Sequence, residues 1–181
     1  NVPDSLHYLM VTKFERTGIK TIKKIDFTRL KIKKKFSGGA GLFSSPDDYS
    51  KFLFCMLNKG NANGKRVLKE STFDKLNTKQ LNNFNQIHRP VDVTYIESGP
   101  RGDKDNFFDN YDNWTLGWAY EQNSKYRPSG TAYWGGWNNY FTIDFKNEFA
   151  LIYMNFLSPF NDIESYNLFT SFERIVYQNL D

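Results

Sequence analysis

Apolar residues recur along this chain at two different spacings. From Ser45 onward, Tyr49, Phe52, Leu53, Met56 and Leu57 fall on one face at helical spacing. Ser45 is placed to cap that helix, Pro46 suits its first position, Asp48 stands where a capping-box acid belongs, and Gly60 ends it. Asn61-Ala62-Asn63-Gly64 reads as a turn, Lys65 to Leu68 as a short extended piece, and Glu70 to Asn77 as a second helix with Phe73 and Leu76 inward. Farther on the spacing changes to that of strands: Thr115 to Tyr120, Ala132 to Trp134, and then Tyr140 to Phe145, where Phe141, Ile143 and Phe145 alternate with Tyr140, Thr142 and Asp144. After a turn at Lys146-Asn147, the run Phe149 to Phe156 is apolar on both faces, as expected of an inner strand with helices on each side of the sheet. Asp162 is a cap for a closing helix marked by Tyr166, Phe169, Phe172, Ile175 or Val176, and Leu180.

Other stretches are less decided. Leu6, Leu9, Met10 and Phe14 fit a helix or a strand equally well. Ile25, Phe27, Leu30 and Ile32 alternate within a basic segment, which reads as an edge strand whose lysines oppose aggregation. From 82 to 113 no period is sustained, and a connection of that length usually covers a binding site or is disordered. The chain of 181 residues is long enough to bury a core as one domain, and its aromatic content of 18% puts aromatic side chains in that core.

Charge and candidate ligands narrow the chemistry. Much of the net charge of +4 comes from Lys20, Lys23, Lys24, Arg29, Lys31, Lys33, Lys34 and Lys35. This run lacks interleaved stacking aromatics, so it reads as a solvated face rather than a nucleic-acid surface. No apolar run approaches the roughly 20 residues of a membrane-spanning helix. A single cysteine, Cys55, forbids an internal disulfide and reads as a small buried hydrophobe; the compartment stays open. Asp103, Asp105, Asp109 and Asp112 lack the turn glycine and terminal Glu of a calcium loop, and His7 and His88 stand apart from any partner at ligand spacing. No metal or cofactor is expected.

Two glycine-rich segments carry the functional signal. Phe36-Ser37-Gly38-Gly39-Ala40-Gly41-Leu42-Phe43-Ser44-Ser45-Pro46-Asp47-Asp48-Tyr49 opens the first helix, and Tyr133-Trp134-Gly135-Gly136-Trp137-Asn138-Asn139-Tyr140-Phe141-Thr142-Ile143-Asp144 leads into a strand. Together they resemble the C-terminal half of the penicillin-binding-protein and class C β-lactamase superfamily of serine hydrolases. The resemblance covers most of residues 36–181 and, weakly, 1–20. It implies an α+β fold, an antiparallel sheet flanked by helices, with residues 1–181 forming the C-terminal portion of a single β-lactamase-like domain.

In that family a strand beside the active site carries Lys-Thr-Gly or Trp-Gly-Gly, and Trp134-Gly135-Gly136 resembles the second form. The resemblance then makes the Trp137 backbone N–H an oxyanion donor. Trp134, Gly135, Gly136, Trp118 and Tyr120 are the implied substrate wall, with the two glycines letting a carbonyl approach the strand edge closely. The family spacing is one residue longer than here, so Tyr133-Trp134-Gly135 is a second placement of the motif, with Gly136 as donor; a bulge or tight bend between aromatics is a third reading. With Trp134 in place of lysine, the wall suits an uncharged ester or amide better than a carboxylate-bearing antibiotic.

No Ser in the chain is followed three residues later by Lys, so the family's Ser-x-x-Lys nucleophile motif is absent. Tyr111-Asp112-Asn113 and Tyr153-Met154-Asn155 match the letters of its Tyr-x-Asn motif but lie downstream of Gly38, where the family does not use it. The chain also begins without Met. The expectation is a portion of a hydrolase that is inactive alone and relies on an N-terminal portion of the same protein; a non-catalytic binding or scaffold module of the same fold is the alternative. An exposed sheet edge is expected to find that partner or to drive self-association.

Overall fold

The computed structural model describes residues 2–18, 20–25, 42–80, 113–121, 131–136, 138–159 and 162–180, with only the backbone at 113, 121 and 131–136. Among the described residues the centre is a five-stranded antiparallel sheet in the order β5 (Asn113–Trp114), β6 (Ala119–Glu121), β7 (Thr131–Gly136), β8 (Asn139–Asp144) and β9 (Phe149–Tyr153). The two-residue period of β8 sends alternate side chains to opposite faces. Phe141 and Ile143 pack with Leu53, Cys55 and Met56 of α1 (Pro46–Leu57), with Phe73 of α2 (Glu70–Asn77), and with Trp118. Tyr140 packs on the other face with Tyr166 and Phe169 of α3 (Ile163–Gln178). Each such side chain buried stabilises by about 1.5–3 kcal/mol. Helices lie on both faces, as the apolar run at Phe149 led one to expect, but β9 is the last strand of this sheet among the described residues rather than an inner one.

The caps follow the sequence. Ser45 Oγ accepts from the Asp48 amide at 3.1 Å, and the Asp162 carboxylate accepts from the Ser165 amide at 3.0 Å. Past α1, Gly60 has φ 83° and donates its amide to Cys55 O at 2.7 Å; a Cβ there would stand 2.8 Å from Leu68 Cβ. The two-stranded hairpin β3 (Asn61–Ala62) and β4 (Lys65–Arg66) turns at Asn63 and Gly64, both with positive φ, as a type I′ turn requires.

Several expectations are corrected. Residues Thr115 to Trp118 are a turn rather than part of a strand, because Thr115 Oγ1 accepts the Gly117 and Trp118 amides and holds the β5–β6 hairpin closed. Asp4–Leu9 is a 3-10 helix, and strand structure begins only at β1 (Lys13–Gly18). Part of the basic segment does pair as an edge strand among the described residues, β2 (Thr21–Ile25), while Phe27, Leu30 and Ile32 fall in 26–41, outside the described residues. β2 is the edge of a second sheet in which β1 also pairs in parallel with β10 (Leu157–Ser158).

Two helix faces are rotated from the expected ones. On α1, Cys55 joins the core while Phe52 stands outside it. On α3, Glu173 is inside, and Leu168, Phe172 and Ile175 form an outward stripe. The reason lies in β8: its α3-facing side carries Thr142 and Asp144, which take polar partners. Thr142 Oγ1 donates to the Glu173 carboxylate, and Tyr177 OH donates to Asp144 Oδ2 at 2.8 Å.

Candidate active-site strand

β7 and β8 form a hairpin whose last rungs are Trp134 with Phe141, Gly135 with Tyr140 and Gly136 with Asn139. On the other side of β7, the ladder to β6 covers only Thr131, Ala132 and Tyr133. The Thr115–Trp118 turn carries the chain away at that point, so among the described residues Trp134, Gly135 and Gly136 pair with β8 alone. Alternate residues of an antiparallel ladder point their amides to opposite sides. Among the described residues the Trp134–Gly136 segment therefore has no strand partner on the side away from β8, at the place where the two glycines carry no Cβ to block an approaching group.

The turn after this edge is built with unusual polar density. Asn138 has φ 59°, a left-handed conformation that Asn tolerates, and its side chain is fully buried. Its Nδ2 donates to Leu157 O at 2.9 Å and to Pro159 O at 2.7 Å. Its Oδ1 accepts the Asp162 amide at 2.8 Å and the Tyr140 hydroxyl at 3.0 Å. Both ends of the carboxamide are satisfied. Burial, followed by the proximity of Tyr166, Asp162 and Tyr153, pushes the Tyr140 hydroxyl well above the ordinary phenol range. Asp162 in turn pairs with the guanidinium of Arg16, through Nε and through Nη2 at 3.2 Å. That hydrogen bond is the main cause of the raised pKa of Arg16. These long-range partners were not visible in the sequence; the only local signal was an Asn two positions after a glycine pair.

The other candidates are placed as follows. Trp118 lies in the core against α2, only 2% exposed, and its Nε1 donates to Asn77 Oδ1 at 3.1 Å. Tyr120 on β6 is half-buried with the Lys79 ammonium 4.9 Å from its ring centre, and burial, then Asp144, raises its pKa. Trp137, the glycine-rich 38–41 segment, the 82–112 part of the long loop and its four aspartates, and His88 lie outside the described residues. Asn155 of the Tyr153-Met154-Asn155 triplet donates to Tyr153 OH at 3.0 Å and to Ser165 Oγ at 3.1 Å, tying the end of β9 to α3. His7 shares a hydrogen bond with Val2 O. Among the described residues no three His, Cys, Asp or Glu side chains gather as a metal site, and no helix is long and apolar enough to cross a membrane. An open polar concavity at Asn58, Asn61, Asn63 and Gly64 includes no residue of β7.

No family model and no curated protein matches the chain. Among solved structures it is similar to unliganded simvastatin synthase (LovD) from Aspergillus terreus, with a TM-score of 0.67 and 21% identity over 98% of this chain. The selenomethionyl derivative of unliganded LovD gives a TM-score of 0.69 and 20% identity over 96% of this chain. Each match takes in 43% of the LovD chain, so this chain spans less than half the length of the structure it resembles. At that identity the likeness shows the fold alone: a mixed α+β arrangement shared with part of a β-lactamase-like protein.

Proposed function

We propose that this chain supplies one wall of a β-lactamase-like acyl-transfer site, the attacking serine and its lysine residing on an N-terminal portion of the same protein. The observation that carries the reading is that the β6 ladder stops before Trp134–Gly136, leaving that side of β7 without a strand partner among the described residues. There a backbone N–H, at Trp137 in the first placement of the motif and at Gly136 in the second, pairs with the nucleophile's own N–H to hold a developing oxyanion. Trp134 and Tyr120 flank the substrate, an uncharged ester or amide; the core position of Trp118 leaves it in a supporting role. The serine hydroxyl attacks the carbonyl, the alcohol or amine departs, and water or a second acceptor releases the acyl group.

The division into two portions draws support from the surface. Leu168, Phe172 and Ile175 lie outward on α3 at one-face spacing, and β9 ends the sheet among the described residues. An apolar stripe beside a terminal strand fits a docking N-terminal portion, or self-association where that portion is absent. Burst kinetics on a p-nitrophenyl ester test the proposal. The full-length protein releases about one equivalent of nitrophenol before steady turnover, whereas the 181-residue chain gives no burst. A full-length protein without turnover would instead favour the non-catalytic module of the same fold.

A further inference from the structure

We propose that Asn138 is a positioning residue for the Gly135–Gly136 edge, held in turn by the Asp162–Arg16 pair; its use in catalysis rests on the reading above. Asn138, in the turn two residues beyond Gly136, has four side-chain hydrogen bonds, and they reach three separate parts of the fold. Two go to the carbonyls of Leu157 and Pro159, one comes from the amide of Asp162 at the cap of α3, and one comes from Tyr140 on β8. A hairpin end has no ladder beyond it to hold it, and two glycines weaken the last rungs by their backbone entropy. The Asn138 carboxamide replaces that missing restraint with bonds to a neighbouring sheet and a helix terminus. Because it is wholly buried, each bond lost leaves an unpaired partner, so the position of the turn is sharply defined.

Arg16 and Asp162 extend the restraint. Asp162 caps α3 through Ser165 while its own amide bonds Asn138, and Arg16 on β1 fixes its carboxylate. β1 also pairs in parallel with β10, the strand whose Leu157 carbonyl accepts from Asn138. The turn, β1, β10 and the start of α3 are thus one polar knot placed at the end of the edge.

Asn138→Gly keeps the left-handed backbone and removes the carboxamide; Tyr140→Phe is a milder variant that removes only the hydroxyl reaching Oδ1. Hydrogen exchange is followed at Gly135–Gly136 and at Ile143, alongside ester kinetics of the full-length protein. In Asn138→Gly, exchange at Gly135–Gly136 rises about tenfold or more while Ile143 stays protected. In the same variant kcat falls about a hundredfold with KM within about twofold, because a misplaced donor is felt only in the transition state. Tyr140→Phe shifts both readouts in the same direction by less. Unchanged exchange at the two glycines in both variants, or a kcat within about twofold of the parent, overturns the proposal. Absence of turnover in the parent sinks the acyl-transfer reading instead, and the exchange result then decides the positioning role by itself.

Discussion

Asp162→Asn isolates the charge of the Arg16–Asp162 pair, since Asn caps a helix as well as Asp does and the roughly 1 kcal/mol of capping is retained. Asp162 is fully buried and the Arg16 side chain nearly so. Removing one member of such a pair typically costs about 3–5 kcal/mol, because the other charge is left buried without its partner. Glu164 also acts on Arg16, and the Arg16 side chain is slightly exposed, so the lower figure of about 3 kcal/mol applies. For a chain of this size, that corresponds to a melting temperature lower by about 6–12 °C. Equilibrium urea unfolding of parent, Asp162→Asn, Arg16→Met and the double variant gives the coupling directly. The double variant carries no stranded charge and is expected to be more stable than the sum of the singles by about 1.5 kcal/mol or more. A cost under about 1 kcal/mol for Asp162→Asn, or strict additivity, would refute the claim that the pair holds the two elements together.

Tyr140 gives a pH dependence of defined sign. Its folded pKa lies above the unfolded value near 10, so its stabilisation is complete below pH 10 and is lost as pH rises toward the folded pKa. Tyrosinate absorbance should therefore show a phenol phase well above the ordinary range, and Tyr140→Phe should lose amplitude in that phase. Gly60→Ala forces a Cβ against Leu68 at a positive φ and is expected to cost about 1–3 kcal/mol in urea unfolding, where a neutral result would contradict the geometry. Phe172→Asp should leave the circular dichroism spectrum unchanged while abolishing self-association of the 181-residue chain in sedimentation velocity. A chain that is monomeric at high concentration before substitution would argue against the exposed stripe as a docking surface.

Elements whose signals are local were legible in the sequence. The Ser45 and Asp162 caps, the Gly60 stop and the Glu70–Asn77 helix rest on interactions within a few residues, and the structure reproduces each of them. The β7–β8–β9 order follows from alternation and short turns. What was not legible depends on partners distant in sequence. The α3 face could not be phased from its own residues, because Glu173 is drawn inward by Thr142 on a strand 31 positions away. Thr115 gave no sign that its hydroxyl would bend a stretch that alternates like a strand. Of the candidate site, the Gly-Gly edge was readable as a motif, whereas the Asn138–Asp162–Arg16 knot joins residues up to 146 positions apart and had no periodic signature.

A serine-directed fluorophosphonate followed by intact mass spectrometry tests the central claim most directly. One covalent adduct is expected on the full-length protein, located upstream of Asn1, and none on the 181-residue chain. Stoichiometric labelling of the chain by itself, or a full-length protein that takes up no label, would contradict it.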